Sequence, residues 1–368
     1  MKNSTKLSAF ILAGTILTAA PALAANIATQ DAAETTAQRA QSKPPMANAS
    51  ADMKAVLDAQ ASLKPKPIET LTPAEARAQP SPADGAKLVM QYKGLNPADP
   101  MGVSTKDMMI PGAAGDLKAR VYTPQGAKGT LPVILYFHGG GWVIADLDTY
   151  DASPRALSKM AQAIVVSVHY RQGPENKFPA AHDDAFAAYK WLIANAGNVG
   201  GNGKKVALAG ESAGGNLAIN TAIAARDAGI QMPTAQVLVY PVAGADMGTL
   251  SYKEHENAKP LNKAMIGWFI KNYLNDPMKD VMDPRIDING HADVKGLPPT
   301  TIINAEIDPL RSDGQNLASK LKAAGVKVEA RVYPGVTHEF FGMGAVVEQA
   351  KNAEMLAAKN LKKSFGAK

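Results

Sequence analysis

Lys205-Val206-Ala207-Leu208-Ala209-Gly210-Glu211-Ser212-Ala213-Gly214-Gly215-Asn216 joins a short apolar run to an Ala-rich stretch, 213–228, with helical patterning. Gly210 to Gly214 spell GxSxG in the order strand, tight turn, helix, which is the context that gives this pattern chemical meaning. The glycines flank Ser212 because strand and helix come so close that side chains there would collide. The strained corner lifts the hydroxyl above the end of the sheet. Outside that context the same pattern does not distinguish a nucleophile from an ordinary structural turn.

A serine hydroxyl is a poor nucleophile unless a base takes its proton and a third group orients the base. Downstream, Asp308 lies in Ala305-Glu306-Ile307-Asp308-Pro309-Leu310-Arg311, after an apolar run at 300–305, and His338 lies in Tyr333-Pro334-Gly335-Val336-Thr337-His338, after a run at 327–333. In a parallel sheet the carboxyl ends of the strands share one edge, so Ser212, Asp308 and His338 are expected to converge on one crevice. The order Ser, Asp, His is that of α/β-hydrolases and of neither other triad lineage.

Attack on an ester carbonyl places negative charge on its oxygen, and each pre-aimed amide contributes about 2.7 to 4 kcal/mol. His138-Gly139-Gly140-Gly141-Trp142 follows the run at 132–137 and suits that task, since successive glycines let amides face a ligand unobstructed. The expected oxyanion hole is Gly140, Gly141 and the Ala213 amide, with Gly139 shaping the loop. Glycine loops also cradle phosphates, but no GxxxxGK[ST] or GxGxxG spacing is present, so nucleotide binding is set aside.

Around these motifs, β-rich runs alternate with helix-length segments, the texture of an α/β fold with a mostly parallel sheet covered on both faces. Strands are expected at 117–123, 132–137, 164–170, 205–209, 235–240, 300–305 and 327–333, and helices at 153–162, 180–195, 213–228 and 314–324. The connection 244–299 is too long for a simple crossover and holds a helix at 263–273 with Trp268 and Phe269; an insertion of this kind is expected to act as a lid. Upstream, 53–63 patterns as a helix, and Thr72-Pro73-Ala74-Glu75 as a helix start with Thr72 capping.

The 368 residues carry no cysteine, which excludes disulfides, thiolate metal sites and cysteine nucleophiles. The first two dozen residues read as an export signal: Lys2, Lys6, an apolar stretch at 7–20, then Pro21 and Ala22-Leu23-Ala24. Cleavage is expected after Ala24 or Ala25, giving a periplasmic or secreted protein. That stretch is shorter than the roughly 20 residues of a spanning helix, so no stable membrane insertion is expected after cleavage. The net charge of +6 falls to 6 − 2 = +4 without Lys2 and Lys6, and no dense basic run is present, which argues against nucleic-acid binding. Six histidines, His138, His169, His182, His255, His291 and His338, show no metal-ligand spacing, so neither metal nor cofactor is expected. His138 is expected to scaffold the glycine loop, and Glu175 and Asp184 to hold the segment after Tyr170. The resulting division is a signal peptide at 1–24, a disordered linker at 25–52, cap helices at 53–100, and a catalytic domain at 101–368 with a cap insertion at about 246–290.

The motifs together resemble those of the bacterial hormone-sensitive lipase family of esterases, family IV: HGGGW at His138 to Trp142, a GDSAGGN variant at Gly210 to Asn216, a DPLRDEG-like segment from Asp308 to Gly314, and His338 before Phe340 and Phe341. Tyr170-Arg171-Gln172-Gly173-Pro174-Glu175 and Phe178-Pro179-Ala180-Ala181 are similar to its YRLAPE and FPAA elements. The likeness spans about 118–341. Gln172-Gly173, Glu211 and Ser312-Asp313 depart from the usual residues, and none removes a catalytic group. The resemblance implies that the N-terminal helices and the insertion form a cap over the acyl pocket, and that the substrate is a small ester with a short- to medium-chain acid. A long-chain lipase, an amidase or deacetylase, and a silent envelope binding protein remain as rivals, and a homodimer stays open.

Overall fold

The computed structural model describes residues 46 and 48–366; the expected signal and the linker through residue 45 lie outside them. Eight strands form one sheet: β1 (Val103–Pro111), β2 (Asp116–Pro124), β3 (Leu131–Phe137), β4 (Ile164–Val168), β5 (Gly201–Glu211), β6 (Gln236–Val239), β7 (Thr300–Ile307) and β8 (Val328–Thr337). Their order is β1-β2-β4-β3-β5-β6-β7-β8. Strand β2 pairs antiparallel with β1 and β4, and every pairing from β4 through β8 is parallel.

The β3 sequence Val133-Ile134-Leu135-Tyr136-Phe137 is apolar throughout because both of its faces are covered. Val133, Leu135 and Phe137 share a core with α5 (Ala180–Asn195), α6 (Ala213–Asp227) and α11 (Arg311–Ala323). Ile134 and Tyr136 point the other way, into a core with α4 (Ala152–Ala161) and α12 (Glu348–Ser364). Each such fully buried large side chain contributes roughly 1.5–3 kcal/mol. Helix α6 buries Ala213 to Ala222 without interruption; its small side chains let it lie directly against β5 and β6.

Several expected boundaries are corrected. Strand β1 was not anticipated: it is an antiparallel edge strand, mostly exposed, with almost no apolar alternation. Strand β8 runs past Pro334 and Gly335 to Thr337 instead of stopping at residue 333, because an edge strand tolerates a proline; this delivers His338 straight from the strand end. Strand β5 starts at Gly201 rather than 205, β4 ends at Val168, and α11 begins at Arg311 rather than 314. Helix α12 was not anticipated, although Ala350, Ala353, Ala357 and Leu361 carry its period and are buried. Helix α1 (Ala51–Ser62) starts two residues inside the expected linker, and the Ser50 amide donates to the Gly335 carbonyl at 2.8 Å.

The accessory regions take up short helices. Helix α2 (Pro73–Arg77) opens with Thr72 as cap and Pro73 in first position, Thr72 and Glu75 satisfying each other's amides; α3 (Pro82–Tyr92) repeats the device with Ser81 and Asp84. Such caps contribute about 1 kcal/mol each. Between β6 and β7 lie α7 (Leu250–Glu254), α8 (Lys263–Tyr273), α9 (Pro277–Asp280) and α10 (Ile288–His291). The Trp268 indole N–H donates to the Leu71 carbonyl at 3.0 Å, joining the insertion to the N-terminal segment.

Candidate active site

Strand β5 ends at Glu211, and Ser212 turns the chain into α6 with φ 55° and ψ −118°. A non-glycine residue in that region costs on the order of 1–3 kcal/mol and persists only where its surroundings enforce it. They do so here: the Ser212 amide donates to the Val239 carbonyl at 2.9 Å, and any Cβ on Gly214 would run into the carbonyls of Phe137 and His138.

At the ends of β7 and β8 the other two expected residues meet this serine. The Ser212 hydroxyl donates to His338 Nε2 at 2.9 Å, and His338 Nδ1–H donates to Asp308 Oδ2 at 2.7 Å. The remaining Asp308 oxygen accepts the Leu310 amide at 2.8 Å. Asp308 is fully buried and His338 nearly so. Burial by itself would lower the His338 pKa, but the charge and hydrogen bond of Asp308, with Glu339 and Glu211 nearby, carry it above the ordinary imidazole value.

The glycine loop lies beside this line. Gly140 and Gly141 both adopt positive φ, 90° and 57°, and a Cβ on Gly140 would strike the Ile144 carbonyl. Neither amide donates a hydrogen bond among the described residues, while the Gly140 carbonyl accepts from Val143 and Ile144. Ala213 is the first residue of α6 and its amide has no partner within the helix. The three expected oxyanion donors are therefore unspent, and that of Ala213 stands at the positive end of the α6 dipole.

His138 scaffolds the loop as expected. It is buried and held neutral by that burial, its pKa lowered to about 3; its ring stacks on Tyr170 at 4.4 Å, and the Tyr170 hydroxyl donates to the His138 carbonyl at 2.8 Å. Gln172, a departure from the family pattern, donates to the carbonyls of Ile144 and Ala145 at 2.7 and 3.0 Å, tying the loop from behind. Asp184, fully buried, accepts from the Arg171 side chain and from the amides of Arg171 and Ala113. Glu175 pairs with Arg77, which also donates to the carbonyls of Val143 and Gly173. Arg77 thus links the N-terminal helix α2 to the glycine loop, a role with no sequence signature.

Sequence reasoning also missed a phenol and carboxyl cluster beneath the nucleophile. Glu211 is fully buried and hydrogen-bonded to the hydroxyls of Tyr136 and Tyr240, and its burial raises its pKa to about 8. Tyr240 also packs its ring against His338, with centroids 4.4 Å apart. Tyr150 donates to Glu339 at 2.6 Å. Glu211 stands out in the sequence as a departure beside the nucleophile, but its partners Tyr136 and Tyr240 are distant from it in the chain.

Ser212, His338, Gly140 and Gly141 open onto a cavity of about 400 Å³. Its walls are mainly apolar, with Ile68 and Ala76 from the N-terminal segment and Leu261, Met265 and Phe269 from the insertion. Phe269 packs so closely on Gly141 that no Cβ fits between them, so the residue is cavity wall as well as cap packing. The arrangement provides a hydroxyl with a base, a buried acid behind the base, and free amides beside a mainly apolar pocket, which is the equipment of acyl transfer.

Comparison with known proteins agrees. A family profile described as alpha/beta hydrolase fold matches residues 134–342. The carboxylesterase NlhH of Mycobacterium tuberculosis is 41% identical over 68% of this chain and 80% of its own length. An ethyl acetate hydrolase of Pseudomonas putida is 34% identical over 67% of this chain and 78% of its own. The crystal structure of a thermostable esterase from Pseudomonas putida ECU1011 superimposes with a TM-score of 0.79 at 33% identity, covering 87% of this chain and 98% of that one.

Proposed function

The chain is a carboxylesterase belonging to the hormone-sensitive-lipase-like family IV of the α/β-hydrolase fold, and from that premise we propose that it hydrolyses short- to medium-chain acyl esters through an acyl-enzyme on Ser212. His338 takes the Ser212 proton as Oγ attacks the ester carbonyl, and Asp308 holds the imidazole in the required tautomer and offsets its charge. The amides of Gly140, Gly141 and Ala213 receive the oxyanion. Collapse expels the alcohol with the proton from Nε2, and water repeats the sequence to free the acid. The observation that carries this reading is the line of two hydrogen bonds, 2.9 and 2.7 Å, ending in a cavity with unspent amides.

Cavity size supports the acyl range, since about 400 Å³ lies near the lower end of the roughly 300–1,000 Å³ of small-ligand pockets. The ethyl acetate hydrolase among the relatives points the same way. A series of p-nitrophenyl esters from acetate to hexadecanoate tests it: kcat/KM is expected to peak at or below octanoate. A rise continuing to hexadecanoate would favour the long-chain lipase, and faster cleavage of matched anilides the amidase.

Export is part of the same proposal and rests on the apolar stretch at 7–20 and Ala22-Leu23-Ala24. Terminal sequencing of protein from the native host is expected to begin at Ala25 or Asn26. Mature protein beginning at Met1 in the cytosol would overturn it.

A further inference from the structure

Glu339 faces the site and has no part in the acyl transfer described above. It directly follows the base, with its backbone at φ 70°, a left-handed conformation that side-chain-bearing residues other than Asn and Asp seldom adopt. Its carboxylate lines the same cavity as Ser212 and His338, and Oε1 lies 3.9 Å from His338 Nε2. Among the described residues its hydrogen-bond donor is the Tyr150 hydroxyl, at 2.6 Å. One phenolic proton leaves most of a carboxylate's roughly four acceptor positions open, in a residue that lines the cavity beside the base.

We propose that Glu339 positions the hydrolytic water, accepting one of its hydrogens while His338 accepts the other. The inference rests on the acyl-enzyme reading. Once Ser212 Oγ is esterified it no longer donates to Nε2, which is then free to accept from water. Two acceptors served by one water at about 2.8 Å each sit about 4.4 Å apart for an undistorted water angle; Nε2 and Oε1, 3.9 Å apart, come close to that span. The water oxygen bonds to the acyl carbon as one proton passes to Nε2. The tetrahedral species then collapses, the carbon–Oγ bond breaks, and the same proton moves from Nε2 to Ser212 Oγ. The second hydrogen, held by Glu339 throughout, leaves on the carboxylic acid.

An alcohol has a single hydroxyl hydrogen, which His338 needs, so Glu339 favours water over alcohols as acyl acceptor. In acylation the departing alkoxide needs only the proton from Nε2. A purely electrostatic influence of Glu339 on His338 would instead slow both half-reactions alike.

Two variants separate these cases. Glu339→Gly suits the left-handed backbone and removes the carboxylate; Glu339→Gln keeps shape and one acceptor. In stopped-flow assays with a p-nitrophenyl ester, Glu339→Gly is expected to acylate within about threefold of the parent rate and to deacylate about ten- to a hundredfold more slowly, so that a burst of one nitrophenolate per site appears. With added methanol, the ratio of methyl ester to acid formed is expected to rise at least about tenfold, with Glu339→Gln intermediate. Equal slowing of both phases, no slowing, or an unchanged partition ratio would each overturn the proposal. Organophosphonate labelling distinguishes its failure from that of its premise: no adduct on Ser212 in the parent protein removes the acyl-enzyme itself, whereas an adduct with unchanged partition in both variants removes only the role of Glu339.

Discussion

Arg77 at the end of α2 and Glu175 after β4 are joined by two hydrogen bonds, Nη1 to Oε1 at 2.8 Å and Nη2 to Oε2 at 2.7 Å. The same guanidinium donates through Nε to the Val143 carbonyl and through Nη2 to that of Gly173. One side chain thus fixes α2, the glycine loop and the segment after Tyr170 to one another. Arg77→Ala is expected to cost about 1–3 kcal/mol, mostly from the two orphaned carbonyls, since Glu175 is more than half exposed and its ion pair is screened. Loosening the glycine loop should lower kcat/KM about tenfold. Arg77→Lys should rescue little, because a single ammonium cannot serve all three partners. Denaturant melts and ester kinetics check this; full activity in Arg77→Ala would show that the loop is held without it.

Asp308→Asn retains shape but offers Nδ1 of His338 a poorer partner and removes the charge that stabilises the imidazolium. A loss of about a thousand- to ten-thousandfold in kcat is expected, with an unchanged fold by circular dichroism. A loss under tenfold would mean that another acid, Glu339 or Glu211, supports the base.

The pH profile follows from the raised pKa of His338. The base must be neutral, so kcat/KM should rise with pH and reach half-maximum above the ordinary imidazole value of about 6.5. Profiles measured with a neutral ester check this. A half-point well below that value, or a flat response from pH 5 to 9, would contradict the assignment of His338.

Stability should fall as pH rises from neutral into the mildly alkaline range. Burial raises the pKa of Glu211 to about 8 and those of Asp313 and Glu354 to about 7. Each therefore keeps a proton in the folded state that the unfolded chain, titrating near 4.3 for Glu and 3.9 for Asp, has released. Where the folded state binds more protons, raising the pH destabilises it. His338, with its raised pKa, adds a contribution of the same sign, lost as pH passes its folded value. His138 and His182 act oppositely below about pH 6.5, their pKa values lowered by burial to about 3 and about 4, but their two protons offset only part of the three held by the buried carboxyls. Above about pH 6.5 nothing in this set opposes the carboxyls, and the melting temperature should drop by several degrees by pH 8.5, at about 1.4 kcal/mol for each unit of pKa displacement. A melting temperature that climbs steadily from pH 6 to 9 would contradict the protonated state of these carboxyls.

The parts of the site that were legible in the sequence are those whose constraint is local. Gly210 to Gly214 must flank a strained corner, His138 to Gly141 must leave amides bare, and both requirements fall within a handful of neighbouring residues. Asp308 and His338 could be placed because each follows an apolar run whose end defines the sheet edge. Helices α5 and α8 were delimited correctly, whereas β1, exposed along most of its length, offered no pattern to read. Arg77 and Glu339 were missed for a different reason. Their partners, Val143 and Glu175 for one and Tyr150 for the other, lie 66 to 189 positions away and become neighbours only through the fold.

The most direct test of the central claim is the turnover of Ser212→Ala on a short-chain p-nitrophenyl ester, with folding verified by circular dichroism and melting temperature. A fall of about four to six powers of ten in kcat with the fold intact is the expected result. Turnover within tenfold of the parent protein would contradict the assignment of the residue 212 hydroxyl as nucleophile.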